Sequence, residues 1–142
     1  MTMQRESFSS AAPWEKIVGY SRAVRTGPFI AVTGCASVGS DGELVGEGDP
    51  YAQATRCIEV IREVLESAGA ALTDVVRTRM FVTNIDQWED IGRAHKEAFG
   101  DIMPATTMVE VSRLIDPRML VEIEADAVVS TIPLGSLSRR LS

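Results

Sequence analysis

The chain has 142 residues, 45% of them hydrophobic and 24% charged, the profile of a single globular domain with no room for a second. Its net charge of −6 sets the field of the whole molecule against nucleic acid, and outside Arg139 and Arg140 no basic patch offsets it. No apolar run approaches the roughly 18 residues of a membrane span, and the first turns of the chain lack the basic and then apolar grammar of a secretory signal, so a cytoplasmic address and no membrane partner are expected.

Taken in chain order, 14–24 (WEKIVGYSRAV) is rich in aromatic and β-branched residues and predicts a strand. It ends at a Gly27-Pro28 turn, after which 29–33 (FIAVT) completes a hairpin. The glycine-rich stretch 34–48 predicts a loop with a short strand around Leu44 and Val45. Asp49 as N-cap, Pro50 as first helical residue and Gly69 as stop predict a helix. Ala54, Cys57, Ile58, Ile61, Val64, Leu65 and Ala68 form its apolar arc. A strand is predicted over 75–83 (VVRTRMFVT), and an Asp86-x-x-Glu89 capping box opens a second helix closing at Gly100. Its apolar face is Trp88, Ile91, Ala94, His95, Ala98 and Phe99. Strands over 106–111 and 120–129 (LVEIEADAVV) follow, the second with clear period-two alternation.

Two helices among five or six strands pack most economically on one face of a mixed sheet, a two-layer α+β domain. The opposite face then carries Glu122, Glu124 and Asp126, since Val121, Ile123, Ala125 and Ala127 turn to the helices. By the same alternation Thr107, Val109 and Val111 face the helices, leaving Thr106, Met108 and Glu110 opposite; Val76, Met80 and Val82 face them, leaving Arg77, Arg79 and Phe81 opposite. Such a charged face is either a solvated lattice of cross-strand pairs or a surface that meets copies of itself, with polar pockets at the seams. The single domain is expected to run over 1–142, with 1–13 and 131–142 flexible.

The elementary catalytic grammars are missing. No GxSxG, HExxH, Walker loop or strand-borne GxGxxG occurs. Cys35 and Cys57 lack CxxC spacing, which argues for reduced thiols, no disulfide and no metal site. Cys35 follows Gly34 at a strand end, where it is either a small packing residue or a thiol at a pocket edge. His95, the single histidine, falls on the apolar helical arc and reads as packing rather than as a general base.

Three strings carry a resemblance over about 14–129: VGYSRAVRTGPFIAVTG, ESAGAALTDVVRTRMFVTNIDQWEDI and PATTMVEVSRLIDPRMLVEIEADAVV. They resemble the RidA/YjgF/YER057c family, also labelled endoribonuclease L-PSP. The resemblance implies a chorismate-mutase-like (RidA-like) fold and a homotrimer with a small-molecule cleft between each pair of subunits. It also implies enamine/imine deaminase activity with no metal or cofactor. By position it implies Glu122 as the water-orienting catalytic glutamate, with Tyr20, Gly34, Cys35, Thr106 and Met108 as ligand-binding positions.

The family string Pro-Ala-Arg-Ser-Cys is here Pro104-Ala105-Thr106-Thr107-Met108. Thr106 therefore stands where a guanidinium would grip a carboxylate, and one hydroxyl cannot replace that two-pronged charged contact. The chain resembles a divergent branch, whose ligand is expected to be an uncharged or amine-bearing molecule rather than a typical 2-imino acid. A non-catalytic module binding a small molecule or a partner is the alternative, and an endoribonuclease or translation inhibitor the weaker one given the acidic charge.

Overall fold

The computed structural model describes residues 4–130. The tail 131–142, expected to be flexible, lies outside them. Among the described residues six strands form one sheet in the order β1-β2-β3-β6-β4-β5, comprising β1 (Arg5–Phe8), β2 (Ala23–Thr26), β3 (Phe29–Cys35), β4 (Val75–Val82), β5 (Ala105–Glu110) and β6 (Val121–Val128). Only β4 and β5 pair in parallel, the other neighbours being antiparallel. A parallel pair needs a crossover, which α2 (Trp88–Phe99) supplies. With α1 (Pro50–Ser67) it covers one side of the sheet, giving the expected two-layer α+β fold.

The first helix forms as its ends dictate. Asp49 is extended and its side chain accepts from the Ala52 N–H at 3.0 Å, Pro50 opens the first turn, and Gly69 takes φ +82° beyond the last. Arg25 on β2 then donates to the Ala68 carbonyl at 2.6 Å, tying the helix end to the sheet. Ala54, Cys57, Ile58, Ile61, Leu65 and Ala68 are buried against Ile30, Val32, Val121, Ile123, Ala125 and Ala127 in a single core. Buried Gln53 donates to the Gly46 and Arg118 carbonyls and accepts from Leu120 N–H at 2.8 Å, which sets the chain leading into β6.

Several expectations are corrected. The predicted strand over 14–24 begins only at Ala23, because Glu15–Gly19 closes a wide helical turn in which Tyr20 N–H donates to the Glu15 carbonyl at 3.0 Å. A further strand, β1, precedes it and pairs with β2 within the segment expected to be loose. The Leu44 strand reduces to one bridge with Val38. The Asp86 capping box is absent: Asn84 caps a short 3-10 turn over Ile85–Gln87, and α2 follows directly, with no side-chain cap. Trp88, placed on the buried arc of that helix, is exposed.

Two strand faces also differ. A register shift between Val75 and Arg77 turns Val75 rather than Val76 into the core, while Thr78, Met80 and Val82 keep the inward positions. On β5, Thr106 pairs with Thr78 and Met108 with Met80, so both face the helices, and Val109 is exposed. The expected alternation of β5 is therefore inverted. Glu110 leaves the charged face with them and accepts from the Ile85 N–H at 3.1 Å.

Candidate functional site

The charged face of the sheet keeps Glu122, Glu124, Asp126, Arg77 and Arg79. Arg79 lies 3.3 Å from both Glu124 and Asp126, and Phe81 stands opposite Glu122 in the ladder. At the β3 end of this face the strand slips in register between Val32 and Cys35. The slip brings Gly34 beneath the Glu122 side chain: a Cβ on residue 34 would lie 2.6 Å from Glu122 Oε2. The glutamate occupies the space that any larger residue would fill.

Arg22, at the bend just before β2, organises the rest. Its Nη1 donates to the Gly34 carbonyl at 2.9 Å and lies 3.7 Å from Cys35 Sγ. Its guanidinium carbon sits 5.9 Å from the centre of the Tyr20 ring, within cation–π range, and its Nε is 4.0 Å from Glu15 Oε2. Glu15 is itself buried and accepts from both the backbone N–H and the hydroxyl of Ser10.

Partial burial raises the Glu122 pKa; the positive field of Arg22 opposes that shift and the negative field of Glu124 adds to it. Cys35 is wholly buried, and desolvation pushes its thiol up to about 11 in spite of Arg22. A thiol at that value is neither a nucleophile nor a thiolate ligand at neutral pH. Its side chain belongs to the core and not to the surface of a pocket. Among the described residues no group of three or more histidines, cysteines and carboxylates is placed to hold a metal ion.

Tyr20, Gly34, Cys35 and Glu122 are thus gathered around Arg22. Tyr20 also lines an open groove of about 470 Å³ between β1 and the Glu15–Gly19 turn, together with Arg5, Glu15, Lys16 and Thr33. Thr106 and Met108 are not part of this cluster within one chain: they face the helices on the edge strand, beyond β4 from β6. Sequence reasoning did not name Glu15, and it raised Arg22 only beside Arg77, Arg79 and Arg113 as a stand-in for the missing guanidinium, without placing it in the site. The signal available was that YSRAV places a tyrosine and an arginine two residues apart, on one side of an extended segment.

Comparison with known proteins agrees with this architecture. Residues 10–129 match the family model described as Endoribonuclease L-PSP. The chain is 37% identical over 118 residues to the uncharacterized protein SCO2049 of Streptomyces coelicolor, covering 83% of this chain and 87% of that one. It is 39% identical over 122 residues to the RutC family protein PYRAB12510 of Pyrococcus abyssi, covering 84% and 93%. The crystal structure of Rv2704 from Mycobacterium tuberculosis, described as a member of the YjgF/YER057c/UK114 family, superposes with a TM-score of 0.82 at 48% identity, covering 89% of this chain and all of that one. Among the described residues no helix is long and apolar enough to cross a membrane. The α+β fold, the extent of the family match and these relatives together establish that the chain belongs to the RidA/YjgF/YER057c (L-PSP) family.

Proposed function

We propose that the chain works in the cytoplasm as a homotrimer with small-molecule clefts between its copies, hydrolysing an imine or enamine other than a typical 2-imino acid without metal or cofactor. The observation that carries this reading is the Glu122 cluster. A half-buried carboxylate lies against Gly34 in the field of Arg22, with its pKa raised toward the range useful for proton exchange. In such a reaction water adds to the imine carbon while Glu122 takes a water proton. Glu122 passes that proton to nitrogen, which gives the neutral carbinolamine, and then takes the carbinolamine hydroxyl proton and delivers it to nitrogen as the C–N bond breaks, leaving a carbonyl product and ammonia.

The placement of the other positions supports a cleft between copies. Thr106 and Met108 lie on the helix side at the β5 edge and Glu122 on the opposite side of β6, so a single copy cannot put them in one pocket, whereas a second copy docked along that edge can. The edge strand offers unpaired backbone, and Met103 and Val109 beside it are exposed. Substrate class follows from the lost guanidinium. Thr106 has no charge, and Arg22 is already engaged by the Gly34 carbonyl and close to Glu15. An uncharged or amine-bearing ligand suits this set better than a carboxylate. The endoribonuclease description of the family model is disfavoured here by the net charge of −6.

The test uses 2-imino acids generated by an amino-acid oxidase and trapped by semicarbazide. Wild type is expected to leave ketoacid release unchanged and Thr106→Arg to accelerate it, with Glu122→Gln abolishing the gain. Acceleration by wild type overturns the exclusion of 2-imino acids, and no acceleration by either form overturns the hydrolase reading.

A further inference from the structure

On the helix side of the sheet, apart from the Glu122 cluster, three polar side chains form a continuous line from a helix to the sheet edge. His95 Nε2 lies 2.8 Å from Thr78 Oγ1, and Thr78 Oγ1 lies 2.6 Å from Thr106 Oγ1. Thr78 has no exposed surface, whereas Thr106 is exposed on β5, the last strand of the sheet. The imidazole is held against Phe99, with ring centres 4.7 Å apart. Burial also lowers its pKa, which keeps the ring neutral at neutral pH.

One partner would satisfy the buried Thr78 hydroxyl. The second partner continues the line to the surface, which a purely structural hydrogen bond does not require. A hydroxyl has a single hydrogen, so Thr78 donates to one neighbour and accepts from the other. When Nε2 carries the imidazole hydrogen it donates to Thr78, Thr78 donates to Thr106, and the Thr106 hydrogen points outward. When Nδ1 carries it, Nε2 accepts from Thr78, Thr78 accepts from Thr106, and Thr106 turns its lone pairs outward.

We propose that His95 is a positioning residue which, through Thr78, sets the polarity of the Thr106 hydroxyl, and that Thr106 donates to an uncharged carbonyl or imine acceptor of the ligand at the β5 edge. The position of a ligand there rests on the cleft proposed above; the coupling of the three side chains does not. Thr106 thereby replaces a fixed charge with a hydroxyl whose polarity adapts to the bound group.

Because His95 is the one histidine in the chain, its ring nitrogens give a single set of signals in a long-range proton–nitrogen spectrum of the whole protein. At a pH where the ring is neutral, Thr106→Val leaves the Thr78 hydrogen with Nε2 as its acceptor and shifts the ring toward the Nδ1–H tautomer. Thr106→Ser keeps the wild-type tautomer ratio, and in a Thr78→Val background the substitution at 106 has no effect. An unchanged ratio in Thr106→Val overturns the relay, since packing alone would not carry a change from the exposed hydroxyl to the ring. Titration with N,N-dimethylacetamide, a carbonyl acceptor without a donor, is expected to shift wild type toward the Nε2–H tautomer and to leave Thr106→Val unmoved. Absence of that shift in wild type overturns carbonyl recognition by Thr106. None of these readouts needs turnover, so a relay that holds while imine hydrolysis fails removes the reaction and leaves the relay standing.

Discussion

The Glu122 carboxylate lies over Gly34 so closely that a methyl group there would meet Oε2 at 2.6 Å and the carboxyl carbon at 3.0 Å. The atoms in the way are the far end of a flexible side chain, so Gly34→Ala is accommodated by swinging Glu122 aside rather than by moving backbone. The expected cost in stability is about 1 kcal/mol, at the low end for overpacking. The effect on a reaction that depends on the carboxylate position is far larger, since small misplacements of a reacting group cost on the order of 100-fold. A denaturant midpoint near that of wild type combined with lost turnover supports Glu122 as the working group; unimpaired turnover removes it from that role.

The raised pKa of Glu122 also has a stability consequence. Between the ordinary glutamate value and its own higher value, the folded state holds a proton that the unfolded chain has released, so stability falls as pH rises through that window. Glu122→Gln has no proton to lose. The difference in melting temperature, variant minus wild type, is therefore expected to grow more positive from pH 4 to pH 7, measured by parallel thermal scans. A difference that is flat with pH shows that Glu122 ionises in the fold as freely as in the unfolded chain.

The parts of the fold that were legible in the sequence are those where local chemistry and long-range packing agree. Asp49, Pro50 and Gly69 mark α1 because a cap, a first-turn proline and a left-handed stop act within a few residues. β6 alternates strictly because it is central, with one face in the core and one charged. β5 misled because it lies at the edge: the string ATTMVE has little to bury on either side, so its pattern does not reveal which side meets the helices. The two slips in register, at Val76 and before Cys35, reverse parity at positions where neighbouring residues are equally apolar or small. In the site, Tyr20, Gly34 and Glu122 were placed by resemblance. Glu15 and Arg22 were not, because their importance comes from contacts with Ser10 and with the Gly34 carbonyl that arise only once the turn and β3 are folded. His95 read as packing, and the helical arc alone could not show that Thr78 and Thr106 would continue its hydrogen bonding.

Glu15 ties two segments together. Its carboxylate accepts from the Ser10 N–H at 3.1 and 3.2 Å and from the Ser10 hydroxyl, and it lies beside Arg22. Glu15→Ala releases the 9–13 segment and leaves Arg22 without that counter-charge. Hydrogen bonds to charged groups are worth about 1.5 to 3 kcal/mol, and a loss in that range is expected from urea denaturation. The Ser10 amide should also exchange with deuterium faster, by about tenfold or more for a loss of that size. Unchanged protection at Ser10 would place the stabilising contact elsewhere.

Both thiols should be inert in the folded protein. Cys35 is buried with its pKa at about 11, and burial raises Cys57 in the same direction. At pH 8 neither has an appreciable thiolate fraction or a path to reagent. A disulfide-exchange reagent is expected to label neither thiol in the native state and both in denaturant. Rapid native labelling of Cys35 would mean that its end of β3 opens, and would return the thiol to the list of groups available to a ligand.

Arg79 separates stability of the fold from stability of the assembly. Its contacts with Glu124 and Asp126 are both 3.3 Å, but its side chain is 42% exposed, and pairs of that kind contribute roughly 0.2 to 1 kcal/mol. Arg79→Ala should therefore lower the melting temperature only slightly. Arg79→Glu places three carboxylates together on the charged face of the sheet. If that face meets copies of itself, the repulsion is multiplied across the interface at short range, where screening by salt is least effective. Light scattering is expected to give a trimer mass for wild type and Arg79→Ala, and a smaller mass for Arg79→Glu that recovers partly at high salt. An Arg79→Glu variant that keeps the trimer mass would place the charged face in solvent, and a wild-type monomer would remove the clefts on which the proposed reaction depends.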